Sequence, residues 1–136
     1  MAKQIFVNLP VKNLEKSIEF FGSLGFTFNA QFTDETGTCM IIGENIFAML
    51  LTEEKFRKFT PKQICDASTS TEVLIALSYD SRAEVDDLVK KAVAAGGKTY
   101  AEPQDHGFMY QHAFQDLDGH NWEIFYMDPS FVMPQS

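Results

Sequence analysis

The sequence predicts an α+β fold, two βαβββ modules that form a cup-shaped mixed sheet. Three observations predict it. Each half reads as a strand, a capped helix and three more strands. Both helices stop at glycine. Both halves reach their last strand through a short turn, "GEN" in the first and "DGH" in the second. A repeat of this kind constrains how the halves pair. Side by side, two such units put their helices on a convex side and leave a concave face open.

The first module spans 4–52. "QIFVNLPV" (4–11) reads as a strand closed by Pro10. "NLEKSIEFFGSLGF" reads as a helix, with Asn13 as the N-cap and Gly25 as the stop. Leu14, Ile18, Phe21 and Leu24 recur at helical spacing. Strands follow at 27–32, 38–42 and 46–51, the last two joined by Gly43–Asn45. Residues 53–71 are polar and read as a linker. A short helical piece there carries Phe56 and Phe59, and Pro61 ends it.

The second module spans 72–128, and a tail covers 129–136; the whole reads as one domain. "EVLIALSY" (72–79) is a strand. Ser81 and Glu84 form a capping-box pattern. Val85, Leu88, Val89, Ala92 and Val93 make the apolar stripe of the following helix, which Gly96-Gly97 ends. "KTYAEP", "MYQHAFQ" and "NWEIFYM" are the remaining strands. Asp116 and Asp118 shape the turn before the last of them, with Gly119 at a positive-φ position. His120 follows at the tip of that hairpin, and His106 falls in an exposed turn.

Composition bounds the function. The chain has 136 residues, 45% hydrophobic, with 13 Phe. That is enough for a core or for an apolar pocket. The net charge of −8 repels phosphate backbones and anionic lipid, which sets aside nucleic acid and membrane surfaces. The longest apolar run, "IFAMLL", is too short to span a bilayer, and the start does not read as a signal peptide. Cys39 and Cys65 match no metal or redox spacing and read as reduced thiols, which implies the cytoplasm.

The paired modules, the "VKNLEKSIEFFGSLGF" opening and the "DLDGHNWEIFY" ending resemble the vicinal oxygen chelate superfamily, which includes glyoxalase, bleomycin resistance and extradiol dioxygenase proteins. The resemblance covers 4–128. It implies metal ligands on the first and last strands of each module, pointing into the cup. Carried over position by position, Glu123 falls on the final-strand ligand. The other positions fall on Phe6, Leu74 and Ala48, which donate nothing to an ion. Divalent metals need several converging donors. The expectation is therefore no metal and no cofactor.

Strand alternation then puts Ala48, Leu50 and Phe125 on the side of Glu123, with Phe6, Asn8, Leu74 and Ala76 on the floor. Val7, Leu9, Ile75, Leu77, Trp122 and Ile124 pack under the helices. The cup becomes an apolar pocket with few polar groups. Tyr110, His112 or Asn8 would hold the Glu123 carboxylate. The expected function is a homodimer binding a small apolar or aromatic ligand, with Glu123 and His112 as polar anchors or as catalytic acid and base. One rival is a metal-dependent lyase or dioxygenase rebuilt around Glu123 and His112, with His106 or Gln111. Another is a scaffold subunit with a filled cup.

Overall fold

The computed structural model describes residues 1–130. The described chain divides into two compact units, one of residues 1–66 and one from residue 67 onward. The division falls inside the stretch expected to link the modules. Most of the expected tail lies outside the described residues.

The first unit runs β1 (Ile5–Val11), α1 (Leu14–Ser23), β2 (Thr27–Asp34), β3 (Gly37–Gly43), β4 (Ile46–Thr52) and α2 (Glu53–Arg57). Its strands form one mixed sheet in the order β1-β4-β3-β2, with β1 and β4 parallel and the others antiparallel. The Asn13 side chain accepts the Lys16 N–H at 3.1 Å, so α1 starts as its cap residue dictates. Gly25 ends it at φ +101°, a conformation that costs a residue with a Cβ. The buried face of α1 carries Leu14, Ser17, Phe20 and Phe21. Phe20 thus takes the place expected for Ile18, which is half-buried. Each such Leu or Phe taken from water stabilises by about 1.5–3 kcal/mol.

One sequence expectation fails here. In-register residues of paired strands share a face, and β1 pairs Phe6 with Phe47 and Val7 with Ala48. Ala48 and Leu50 are fully buried beside Leu9, Val11 and Met40. They belong to the core face, and Phe6 and Asn8 belong to the other. Phe6 stacks on Phe47 there, with ring centroids 4.8 Å apart. The run "IFAMLL" is apolar at every position, so alternation had no polar residue to set its phase.

The second unit runs β5 (Leu74–Tyr79), α3 (Arg82–Ala94), β6 (Gln104–Asp105), β7 (Met109–Gln115) and β8 (Asn121–Met127), in the sheet order β5-β8-β7-β6. β5 and β8 are parallel, and the other pairs are antiparallel. Ser81 caps α3 by accepting the Glu84 N–H. Val85, Leu88, Val89 and Ala92 bury against the sheet, where Phe114, Trp122 and Ile124 are sealed from solvent. Val93, expected in the same stripe, remains 44% exposed.

"KTYAEP" is not a strand. Lys98 makes a single bridge to Gln115. The Thr99 hydroxyl then donates to the Ala113 carbonyl at 2.7 Å, taking the acceptor that a strand amide would use. Pro103 has no N–H to extend a ladder. The edge strand is reduced to Gln104–Asp105.

The turn before β8 is built more tightly than a surface hairpin. Asp116 Oδ1 accepts the N–H groups of Asp118 and His120, and Oδ2 accepts Trp122 Nε1–H, all at 3.0 Å. His120, expected at the hairpin tip, does end this turn, and it is only 9% exposed. Gly119 has φ +91°, and a Cβ there would lie 2.7 Å from the Ala67 carbonyl oxygen.

Candidate functional site

Glu123 lies in the middle of β8, paired with Ala76 of β5 and Ala113 of β7. The two neighbours on its face are therefore the smallest chiral side chains. This explains how a carboxylate sits in a strand of apolar and aromatic residues: its flanks are open, and it is half-buried rather than buried. No counter-ion is needed to keep it there.

The rest of that face follows from the register. Asn121 and Phe125 flank Glu123 along β8. Gln111 and Gln115 lie across from them on β7, and Leu74 and Ser78 on β5. Gln115 Nε2 donates to Asn121 Oδ1 at 3.0 Å, and Asn121 Nδ2 donates to Thr71 Oγ1 at 3.1 Å. Gln111 Nε2 donates to Gln104 Oε1 at 3.3 Å. The expected apolar lining is thus corrected: this face is a carboxylate among amides, with Leu74 and Phe125 as its apolar contacts. Tyr100, in the irregular segment before β6, is near enough to feel Glu123. Burial first, and that carboxylate second, push its phenol up.

His112 and Tyr110 are on the other face. β7 pairs His112 with Ile124 and Tyr110 with Tyr126. Tyr110 Oη donates to Asp86 of α3 at 2.6 Å, which pushes the phenol up to about 12. Neither side chain can hold Glu123, and His112 and Glu123 cannot ligate one ion within this sheet. His106 stays in an exposed turn, its N–H on the Met109 carbonyl. Asp116, by contrast, is buried, and burial raises its pKa against the opposing pull of His120 and its N–H donors. Its role is to fasten the turn that leads into β8.

Among the described residues, no three His, Cys, Asp or Glu side chains gather as a metal-binding group. The donor set around Glu123, two alanines and neutral amides, does not suit a tightly held divalent ion. In the first unit, Phe6 and Asn8 are exposed on the open face of their sheet, and Ala48 is behind it.

The residues that sequence reasoning missed are Tyr100, Ala76 as a spacer, Ala113 and the amides of Gln115 and Asn121. Counting by twos from Glu123 reaches Asn121 directly, and pairing the last two strands through "DLDG" reaches Gln115 and Ala113. Tyr100 left no such signal, because its segment follows no period.

The whole architecture, two four-stranded mixed sheets with their helices, is that of the vicinal oxygen chelate fold. The Glyoxalase/Bleomycin resistance protein/Dioxygenase superfamily matches residues 3–124, and the chain belongs to that superfamily. A hypothetical protein of S. aureus is 32% identical, with a TM-score of 0.78 over 93% of this chain and 95% of that one. A glyoxalase-related enzyme of Fulvimarina pelagi is 20% identical, with a TM-score of 0.79 over 98% and 94%. A fosfomycin resistance protein of Listeria monocytogenes is 17% identical, with a TM-score of 0.67 over 95% and 96%. The last two show the shared fold. No curated protein matches the chain.

Proposed function

We propose that this chain is a small-molecule-binding member of the superfamily that works without the metal. Glu123 anchors the polar end of the ligand, and Leu74 and Phe125 contact an apolar or aromatic body. The observation that carries this reading is the pairing of Glu123 with Ala76 and Ala113. It leaves a half-buried carboxylate with only alanine side chains beside it on the neighbouring strands, open to accept a hydrogen bond from a ligand. The amides of Gln111, Gln115 and Asn121 favour a ligand with its own donors and acceptors. The lyase or dioxygenase reading loses its main support, because His112 leaves the opposite face of the sheet.

The working form in this reading is a homodimer in the cytoplasm. Ile5 and Phe6 on β1, and Leu74 on β5 with Val73 before it, are large apolar residues left exposed on strands at the edge of their sheets, and such edges invite a partner. Cys39 and Cys65 form no disulfide among the described residues, which suits a reducing compartment. Among the described residues no helix is long and apolar enough to cross a membrane.

A titration of isotope-labelled protein with small aromatic amides and amines tests the proposal. Saturable shifts at Ala76, Ala113, Glu123 and Phe125 are expected, and they should weaken in Glu123→Gln. A panel of such probes that leaves these residues unmoved contradicts it.

A further inference from the structure

The second sheet has a cavity on the face opposite Glu123. A groove of about 480 Å³ runs between α3 and the segment before β6, open along one side. That volume is within the range of small-molecule sites. Val89, Val93 and Ala94 of α3 form one wall and Pro103 part of the other, with His112 also lining it. The apolar stripe of α3 continues into this groove, which is why Val93 remains 44% exposed although its spacing predicts burial.

The polar groups divide into committed and free. The Thr99 hydroxyl donates to the Ala113 carbonyl, and Asp86 accepts from Tyr110. Lys91, next along the helix, pairs with Asp87 at 2.9 Å. The side chains of Lys90 and His112 have no hydrogen-bond or ion-pair partner among the described residues. Both offer N–H donors. The groove therefore presents an apolar trough with two uncommitted nitrogen donors, beside an Asp86 carboxylate whose Oδ1 is taken by the Tyr110 hydroxyl.

We infer that this groove is a second ligand site, distinct from the Glu123 face, that takes a small anion with an apolar tail, such as a short-chain carboxylate. The tail lies along Val89, Val93 and Pro103, and the carboxylate meets Lys90 and the His112 imidazole in charge-assisted hydrogen bonds. The site does not depend on what binds at Glu123.

Sodium hexanoate is the probe, with hexylammonium as its charge-reversed counterpart, followed by methyl and ring-proton NMR of the intact protein. Hexanoate is expected to give saturable shifts at Val89, Val93 and His112. Lys90→Glu, on the exposed side of α3, is expected to weaken binding by about tenfold. Val93→Trp, which fills the trough from an exposed position, is expected to abolish it. The inference is overturned if hexanoate gives no saturable shift there, or if hexylammonium binds as well. It is also overturned if binding survives Lys90→Glu unchanged, or if the shifts map to Glu123 and Phe125 instead.

Discussion

Glu123 and His112 stand on opposite faces of one sheet, Glu123 across from Ala113 and His112 across from Ile124. The two residues most suggestive of chemistry in the sequence therefore serve separate surfaces. Each has its own surroundings: alanines and amides for the carboxylate, and the α3 groove with its valines, Asp86 and Lys90 for the imidazole.

Because the alanines beside Glu123 make room for it, filling them should block the site and spare the fold. Ala76 is exposed and Ala113 half-buried on that face. Ala76→Leu and Ala113→Leu are each expected to remove probe binding at Glu123. Their stability cost should be under about 1.5 kcal/mol. Glu123→Gln should change stability by no more than about 0.5 kcal/mol. Chemical denaturation beside the binding titration checks all three.

Asp116 satisfies three N–H donors in a buried turn. Asp116→Ala orphans the Trp122 indole and two backbone amides. Its expected cost is about 2–4 kcal/mol. A denaturation midpoint close to that of the unaltered chain would show that water replaces the carboxylate.

Two glycines separate backbone strain from crowding. Gly25 has φ +101° and open space where a Cβ would project, so Gly25→Ala should cost about 1–2 kcal/mol. Gly119 has φ +91° and a backbone carbonyl in the way. Gly119→Ala should cost more, on the order of 3–4 kcal/mol. Equal losses would mean that the segment at Ala67 yields freely.

The hydrogen bond to Asp86 raises Tyr110 from 10.0 to about 12. A group raised in the folded state contributes stability that is full below its unfolded value and lost as pH rises. Here the window runs from about pH 10 to about 12. In an absorbance titration of the four tyrosines, Asp86→Asn should bring one midpoint down toward the ordinary value. An unchanged curve contradicts the bond.

The helices and most strands were legible because their signals are local. Asn13, Ser81 and the terminal glycines mark helix ends through their own side chains or lack of one. In β5, the small Ala76 and Ser78 alternate with Ile75, Leu77 and Tyr79, which sets the phase, so Ile75 and Leu77 were placed correctly. Ala48 was misplaced because its strand is apolar on both faces. The burial of His120 was not legible because it depends on Asp116 and on the close approach of Ala67 to the turn, which no period in the sequence reports. The segment at 98–103 was read as strand because its pairing is broken by one hydroxyl and one proline rather than by its general composition.

The measurement that tests the central claim most directly is metal analysis of the purified protein, combined with calorimetric titration of Ni, Zn, Mn and Fe into the unaltered chain and Glu123→Gln. A carboxylate flanked by Ala76 and Ala113 should bind none of them stoichiometrically, and the two proteins should behave alike. One tightly bound equivalent of any of these ions, lost in Glu123→Gln, would contradict it.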